Sequence, residues 1–398
     1  MININPAAYI SFGSRIRKSP FYDSTRKYGA KSFTIYNHMY MPTVYTSAEE
    51  EYSSLTNDVT MWDVAAERQI EINGPDAYEF VRTLTPRNLE KCEIGHCLYI
   101  LLTGEDGGII NDAVLLRLQP DQFWISPGDS DCLLWIQGAA INSGMNVNVF
   151  EPDASPLQIG GPKAHLLIEK LFDEEHKNVG FYRARETSLH NIPLVLGRTG
   201  WSGEISYELY LRDRKLGNEL WEIVREAGLE FNIVPIAPNS IRSIEGGLLS
   251  YASDILREDN PFTIGLDRLV DTDQSIDFIG KSALKKIKEE GIKRKLVGVV
   301  IDGDPIKSPP EQFWPVIDND LKIGHISRCI FSPRLKKNIG FANVPVEFSE
   351  IDSNFSLTTP DGQRNATVCK WPWFPAERIN KKTSVSYTHL TLPTSVIV

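Results

Sequence analysis

The chain has 398 residues, of which 41% are hydrophobic and 24% charged, and a formal net charge of −10. Because a chain of this length exceeds what one hydrophobic core can serve, we expect two or three domains. The negative charge disfavours nucleic acid or an anionic membrane surface as the main partner. No apolar run approaches the roughly 20 residues of a membrane helix, and the five cysteines include no C-x-x-C pair, which disfavours a zinc site. We therefore expect a cytoplasmic protein without a metal.

Helix and strand patterns alternate in the N-terminal half. Apolar residues at helical spacing predict helices over 76–84 and 131–141. Between them, strand patterns at 97–102 and 109–118 flank a Gly-rich turn, which predicts a β-hairpin, and a further strand follows at 123–126. Such a mixture is typical of an α+β fold.

The C-terminal half changes from helices to short strands. Helices are predicted over 163–171, 218–226 and 241–249, and a short helix ends near Lys288. From Arg294 onward, short strand patterns are separated by clusters of Gly, Pro and Asp. This spacing predicts a β-rich C-terminal domain.

The most informative segment is Arg198-Thr199-Gly200-Trp201-Ser202-Gly203-Glu204-Ile205-Ser206-Tyr207-Glu208-Leu209. Its glycines allow a tight turn, and the strand pattern that follows places Ser206, Glu208 and Tyr210 on one face. A carboxylate on that face can accept two hydrogen bonds from an amidine-like edge, such as that of a pterin. The alternative interpretation is a solvated strand after a Gly-rich turn.

Five segments occur in an order shared with one enzyme family. They are Gly107-Gly108-Ile109-Ile110-Asn111-Asp112, Arg198-Thr199-Gly200-Trp201-Ser202-Gly203-Glu204, Glu245-Gly246-Gly247-Leu248 with Tyr251-Ala252-Ser253-Asp254, Phe278-Ile279-Gly280-Lys281, and Ser332-Pro333-Arg334-Leu335-Lys336-Lys337-Asn338-Ile339-Gly340. Together they resemble the glycine-cleavage T-protein (aminomethyltransferase) family of tetrahydrofolate-dependent enzymes, over nearly the whole chain to about Asn380. The resemblance implies an α+β, three-domain cloverleaf with folate in a central channel and a β-rich, barrel- or jelly-roll-like C-terminal domain.

The same resemblance suggests where the domains lie. Residues 1–60 and 150–265 are expected to form a discontinuous folate-binding core, residues 61–149 an α+β domain, and residues 266–380 the β-rich domain. Residues 381–398 are Ser/Thr-rich and aliphatic without a period. We expect them to be a non-native tail.

Two departures from the aminomethyltransferase narrow the resemblance. Where that enzyme has Asp-Val-Ser-His-Met, this chain has Asp63-Val64-Ala65-Ala66-Glu67, and its Gly-Ala-Arg-Asp is replaced by Ala237-Pro238-Asn239-Ser240, with Arg242 nearby. The segments Ser14–Phe21, Tyr36–Met39 and Trp62–Gln69 instead resemble a branch of the family, the dimethylsulfoniopropionate (DMSP) demethylases of marine bacteria.

That branch implies transfer of a methyl group from a sulfonium to N5 of tetrahydrofolate, giving 3-methylthiopropionate and 5-methyltetrahydrofolate. The sulfonium already carries its charge and leaves as a neutral thioether, so no general acid, metal or covalent nucleophile is required. Positioning two substrates in line and excluding water can supply most of the acceleration. Aromatic faces suit the cation, and a Lys, an Arg or backbone N–H groups suit the carboxylate of its propionate arm.

By resemblance, Asp112 stands at the position of the catalytic aspartate and Glu208 at that of the glutamate that reads the pterin edge. The other residues expected around folate are Tyr99, Phe181, Tyr182, Trp201, Glu204, Tyr207 and, for its glutamate carboxylates, Arg328. For each residue the alternative is simple packing or a solvated charge.

Two other functions stay open. One is transfer from another donor within the family, namely an aminomethyl carrier protein or an N-methylated glycine. The other is a folate-binding module without turnover. We expect the protein to bind a small molecule, and neither nucleic acid nor a membrane. A homodimer is a possible oligomeric state.

Overall fold

The computed structural model describes residues 12–174 and 178–375, so the tail predicted at 381–398 lies outside the described residues. The described residues contain eight α-helices: α1 Tyr22–Lys27, α2 Ala48–Asn57, α3 Ala77–Leu84, α4 Cys132–Ser143, α5 Ala164–Leu171, α6 Gly217–Gly228, α7 Ser240–Glu245 and α8 Lys281–Glu290. Short 3-10 helices lie at Arg214–Leu216, Leu229–Phe231, Asp267–Leu269 and Val346–Phe348. No helix in these ranges is long and apolar enough to cross a membrane.

The strands of the described residues form three larger sheets and one hairpin. They are β1 Ser32–Tyr36, β2 Met39–Val44, β3 Thr60–Asp63, β4 Ile70–Asn73, β5 Cys97–Thr103, β6 Ile109–Gln119, β7 Gln122–Pro127, β8 Asn148–Phe150, β9 Ser155–Gly160, β10 Ala184–Leu189, β11 Ile192–Gly197, β12 Ser206–Leu211, β13 Val234–Pro235, β14 Arg294–Ile301, β15 Trp314–Asp318, β16 Leu321–Ser332, β17 Lys337–Pro345, β18 Asn354–Thr359 and β19 Gly362–Cys369.

The first large sheet has the order β10-β11-β12-β9-β3-β13 and packs against α5 and α6. Strand β12 lies near its middle, and both of its faces are buried. Successive side chains of a strand point to opposite faces, so Tyr207 and Leu209 enter the hydrophobic core with Trp221 of α6. Glu208 and Tyr210 therefore face the other way, as the alternation predicted.

The second sheet has the order β5-β6-β7-β4-β8, and α3 and α4 cover one of its faces. Strands β5 and β6 form the predicted hairpin, with Leu101 opposite Asp112. The other face meets the first sheet, where the rings of Trp124 and Tyr210 lie 5.8 Å apart. A small apolar cluster at this junction holds the two sheets together.

The third sheet is a closed barrel with the order β14-β17-β16-β15-β18-β19. Its interior is filled by apolar residues such as Val299, Val316 and Ile326, and closure leaves no free sheet edge. The barrel confirms the predicted β-rich C-terminal domain, and the three units together confirm the α+β cloverleaf. The residue boundaries of the domains stay a prediction.

Helix α7 is shorter than its pattern predicted. We expected residues 241–249, but the helix ends at Glu245 because Gly247 adopts a left-handed φ of 67°. A Cβ at Gly247 would lie 2.9 Å from Pro372 and 3.0 Å from the Trp371 ring. The close approach of the segment after the barrel therefore ends the helix, and the apolar residues 248 and 249 follow in a turn.

Arg242 of α7 joins three separate segments. Its Nε donates to Glu204 over 2.7 Å, its Nη2 to the Gly203 carbonyl over 2.6 Å, and its Nη1 to the Phe374 carbonyl over 3.2 Å. The guanidinium is only 1% exposed and Glu204 only 8%. A buried charge depends on its partner, so this pair ties the Gly-rich turn to α7 and to the chain after the barrel.

We expect Arg242→Ala to lower the free energy of unfolding by about 3–5 kcal/mol, because the change leaves the Glu204 carboxylate buried without its partner. Denaturant titration measures this loss. Lys286→Ala on the exposed face of α8 is the control, since its side chain is 72% exposed, and it should change stability by less than about 0.5 kcal/mol. Equal effects of the two substitutions would refute a structural role of the pair.

Candidate active site

Asp112 and Tyr99 form a direct pair on the β5–β6 hairpin. The Tyr99 hydroxyl donates a hydrogen bond of 2.8 Å to Asp112 Oδ2. The hairpin register pairs Tyr99 with Val114 and Leu101 with Asp112, so the two side chains are diagonal neighbours on one face of the sheet. Burial raises the pKa of Asp112 to about 6, against the opposing effect of the Tyr99 hydrogen bond.

The second oxygen of Asp112 faces a narrow space. Asp112 Oδ1 is buried and has no hydrogen-bond partner among the described residues. A Cβ on Gly128 would lie 3.0 Å from the Cβ of Tyr251 and 3.4 Å from this oxygen. A buried polar atom is normally hydrogen-bonded, so Oδ1 is a candidate acceptor for a ligand N–H.

Glu208 enters the same region from β12. It is 3% exposed, and its Oε2 accepts hydrogen bonds from the Thr199 hydroxyl and, over 2.7 Å, from the Tyr210 hydroxyl. Burial raises its pKa. Gln158 lies directly opposite on β9 and accepts a hydrogen bond of 3.0 Å from the Trp201 backbone N–H.

Gln158 is 1% exposed, and its Nε2 has no hydrogen-bond partner in the described residues. Residues directly opposite in an antiparallel pair share one face of the sheet. A carboxylate and a free amide donor therefore stand side by side, which matches the acceptor and donor needs of a flat heterocycle.

A third carboxylate, Glu67, lies in the turn after β3. Its Oε2 accepts a hydrogen bond of 3.0 Å from Ser126, and burial together with the charge of Glu208 raises its pKa to about 8. The Asp112 carboxylate contributes to the same rise. Glu67 is therefore close enough to Glu208 and Asp112 for both charges to raise its pKa, and we call the three residues the carboxylate cluster.

Tyr36, at the end of β1, lies beside this cluster. Burial, then the charges of Glu67 and Asp112, raise its pKa well above the ordinary value. The next residue, Asn37, fixes the hairpin tip. Its Nδ2 donates to the carbonyls of Ala66 and Gly128 over 3.1 Å each, and its Oδ1 accepts from the Ser130 N–H over 2.8 Å.

Sequence reasoning did not select Glu67, Tyr36 or Gln158 as site residues. The sequence contained a clue to two of them. Glu67 lies in a segment that departs from the aminomethyltransferase, and Tyr36 lies in a segment that resembles the demethylase branch. It contained no clue to Gln158, since the role of that residue depends on the register between β9 and β12.

Some predicted residues lie near the cluster. The charge of Tyr182 helps to raise the pKa of Tyr99. The Phe181 ring lies 4.8 Å from the Tyr182 ring, and Phe181 is 42% exposed. The Trp201 indole N–H donates to the Leu249 carbonyl over 3.1 Å, and the Arg328 guanidinium lies 5.4 Å from the Trp201 ring. The structure thus brings Phe181, Tyr182 and Trp201 to the edge of the site.

Arg328 is engaged within the protein. Its Nε donates to Asp254 over 2.7 Å, its Nη2 to the Leu248 carbonyl over 2.6 Å, and its Nη1 to Ser243 over 3.3 Å. Arg328 is 8% exposed and Asp254 2%. Every guanidinium nitrogen has a partner within the protein, and a contact of Arg328 with the folate carboxylates stays a prediction.

Two further predicted residues lie outside the cluster. Tyr207 is 2% exposed and belongs to the hydrophobic core below the first sheet, because it alternates with Glu208 along β12. Glu204 holds Arg242. In the described ranges, no three His, Cys, Asp or Glu side chains are grouped so that they could hold a metal ion.

The raised pKa of Asp112 predicts a pH-dependent stability. A carboxyl whose pKa is about 6 in the folded state and 3.8 ordinarily binds more protons when folded between these values, so its contribution to stability falls as the pH rises from about 4 to 6. We expect Asp112→Asn to gain stability relative to the parent over that interval, and the difference to become constant above it. Urea unfolding at several pH values measures this, with Asp121→Asn at an exposed turn as the control. A difference that does not change with pH would contradict the buried carboxyl.

Comparison with known proteins agrees with this architecture. Residues 21–274 match the GCVT N-terminal domain, and residues 294–375 match the glycine cleavage T-protein C-terminal barrel domain. The crystal structure of glycine cleavage system aminomethyltransferase T from Bartonella henselae superposes with a TM-score of 0.81 at 20% sequence identity, covering 91% of this chain and 99% of that one. At this identity the likeness shows the fold.

Curated relatives are similar over almost their full length. The dimethylsulfoniopropionate demethylase DmdA of Ruegeria pomeroyi is 34% identical over 359 residues, which span 90% of this chain and 98% of that protein. The aminomethyltransferase of Bacillus mycoides is 26% identical over 366 residues, with coverages of 90% and 98%. The chain therefore belongs to the glycine cleavage T-protein family.

Proposed function

We propose that the protein demethylates dimethylsulfoniopropionate with tetrahydrofolate as the methyl acceptor. The observation that carries the proposal is the full-length similarity to a protein of that name at 34% identity, against 26% for an aminomethyltransferase. The site is compatible with it, because its described residues offer carboxylates, hydroxyls and aromatic rings, which suit two substrates that need only to be held in place.

The reaction balances without help from a metal or a covalent intermediate. The nitrogen N5 of tetrahydrofolate forms a bond to the methyl carbon while the bond from that carbon to sulfur breaks. Sulfur keeps the electron pair and leaves as the neutral thioether of 3-methylthiopropionate. The nitrogen, now carrying the positive charge, loses its proton and becomes the tertiary amine of 5-methyltetrahydrofolate.

The chain's own residues fit the acceptor in this reaction. Glu208 can accept from the N–H groups of the pterin edge, and the adjacent Gln158 Nε2 can donate to a pterin acceptor atom. Asp112 Oδ1, which has no hydrogen-bond partner among the described residues, is the acceptor that we propose for the reacting nitrogen and for the proton that the nitrogen loses. Tyr99 holds the other oxygen of Asp112, so the carboxylate has a single orientation.

The two sheets also exclude water from the reacting atoms. Charge moves from sulfur to nitrogen during the transfer, and fixed carboxylates and hydroxyls can stabilise that charge without reorganising. Holding the two substrates in line supplies the entropic part of the acceleration. A cytoplasmic location, a marine source and a homodimer remain predictions.

A methyl-transfer assay tests the proposal. Purified protein is incubated with tetrahydrofolate and, separately, with DMSP, glycine betaine, dimethylglycine or an aminomethylated carrier protein, and 5-methyltetrahydrofolate is measured by chromatography. We expect turnover with DMSP well above that with the nitrogen donors. Higher turnover with a glycine derivative or the carrier would assign the chain to another reaction of the family. Folate binding without turnover on any donor would favour a non-catalytic module.

We expect Glu208→Ala to weaken tetrahydrofolate binding, because the pterin N–H groups would lose a charge-assisted acceptor that contributes about 1.5–3 kcal/mol. Calorimetric titration measures the loss, which corresponds to roughly tenfold or more in Kd. Glu219→Ala at an exposed position of α6 is the control. If affinity were unchanged in the Glu208 variant, that residue would have no part in folate recognition.

A further inference from the structure

The carboxylate cluster brings three carboxylates into one region of the described structure without a positive partner. Within the described ranges, no Lys, Arg or His nitrogen lies within 4.0 Å of a carboxylate oxygen of Glu67 or Glu208. Glu204 and Asp254, by contrast, are each paired with a buried arginine. Burying a negative charge is costly unless it is paired, so the cluster favours a cation that comes from outside the chain.

An unsatisfied polar atom connected to Glu67 points independently to a ligand. Gln69 Oε1 has no hydrogen-bond partner within the described part of the chain, and Gln69 is 0% exposed. Gln69 Nε2 donates to Ser126 Oγ over 2.9 Å, and that hydroxyl in turn donates to Glu67. Buried polar side chains are rarely left incomplete, so a bound polar molecule is expected to fill this region.

The surroundings of Glu67 suit a cation without N–H groups. A sulfonium is permanently charged and cannot donate a hydrogen bond, so only a nearby negative charge and aromatic faces can recognise it. Glu67 provides the charge, and Tyr36 and Tyr210 lie close enough for their pKa values to be raised in part by Glu67.

We propose that Glu67 is the residue that recognises the positive charge of the methyl donor, and that it releases its own proton when the donor binds. This inference rests on the proposed function and adds to it the group that selects a charged donor over a neutral one. Transfer of the methyl group removes the positive charge, so the product loses its attraction to Glu67 and leaves.

The groups around Glu67 determine the direction in which donor affinity changes with pH. The groups that face Glu67 are Glu208 and Tyr210 from β12, Asp112 from β6 and Tyr36 from β1. Burial and the neighbouring carboxylates raise the Glu67 pKa to about 8, whereas a bound cation lowers it. Donor affinity should therefore rise with pH as Glu67 ionises and level off above about 8, with protons released on binding below that pH.

The test compares Glu67→Gln with the parent protein by calorimetry at pH 7 and pH 9. The substitution keeps the shape of the side chain and removes its charge. At pH 9 we expect DMSP to bind roughly tenfold or more weakly to the variant, while 3-methylthiopropionate and tetrahydrofolate bind both proteins equally. The affinity for DMSP should also lose its pH dependence. Glu105→Gln in the exposed β5–β6 turn is the control and should behave as the parent.

Equal weakening of DMSP and 3-methylthiopropionate would overturn the inference, because a loss shared by the neutral ligand reflects packing. Unchanged DMSP affinity in the variant would overturn it as well. A second measurement needs no variant: titration of the parent protein with DMSP at pH 7 in two buffers of different ionisation enthalpy should show net proton release, and its absence would overturn the inference.

Failure of the proposed function gives a different result. In that case the parent protein shows neither binding nor demethylation of DMSP in the assay above. If the parent demethylates DMSP and the Glu67 variant binds it normally, only the role of Glu67 is refuted.

Discussion

The site depends on how the fold treats carboxylates that it removes from water. Desolvation opposes the charged form of every such group, and two of the ways in which the described residues offset this cost bear on the site. Asp254 and Glu204 each pair with a buried arginine and become part of the framework. Glu67, Asp112 and Glu208 have hydroxyl donors instead, so their charge stays available to a ligand.

The geometry of single strands and hairpins explains which parts of the site could be predicted from the sequence. The β5–β6 hairpin and its short turn determine that Tyr99 and Asp112 are neighbours, and both strands have clear patterns. The alternation along β12 likewise predicts that Glu208 leaves the hydrophobic core. The same alternation sends Tyr207 into that core, so proximity to Glu208 in sequence was a poor guide for that residue. Local periodicity was sufficient wherever one strand or one hairpin determined the contact.

Contacts between distant segments could not be predicted in this way. Arg328 and Asp254 are 74 residues apart, and nothing in either local pattern shows that they form a pair. The partnership of Glu204 with Arg242 depends on how α7 packs under the Gly-rich turn, and the length of α7 itself depends on the segment after the barrel. Each of these features is set by tertiary packing, which overrides the local pattern. The cluster around Glu67 belongs to the same class, because its members come from three different strands or turns.

Asn37, at the tip of the β1–β2 hairpin, connects two loops of the site. One side chain is bonded to the loop that carries Glu67 and to the loop after β7, and the adjacent Tyr36 lies against the carboxylates. The backbone at Asn37 is left-handed, with a φ of 46°, which asparagine tolerates better than most residues. Loss of this anchor would free both loops at once, since they share it. The position of Glu67 and the course of the loop after β7 therefore depend on the same asparagine.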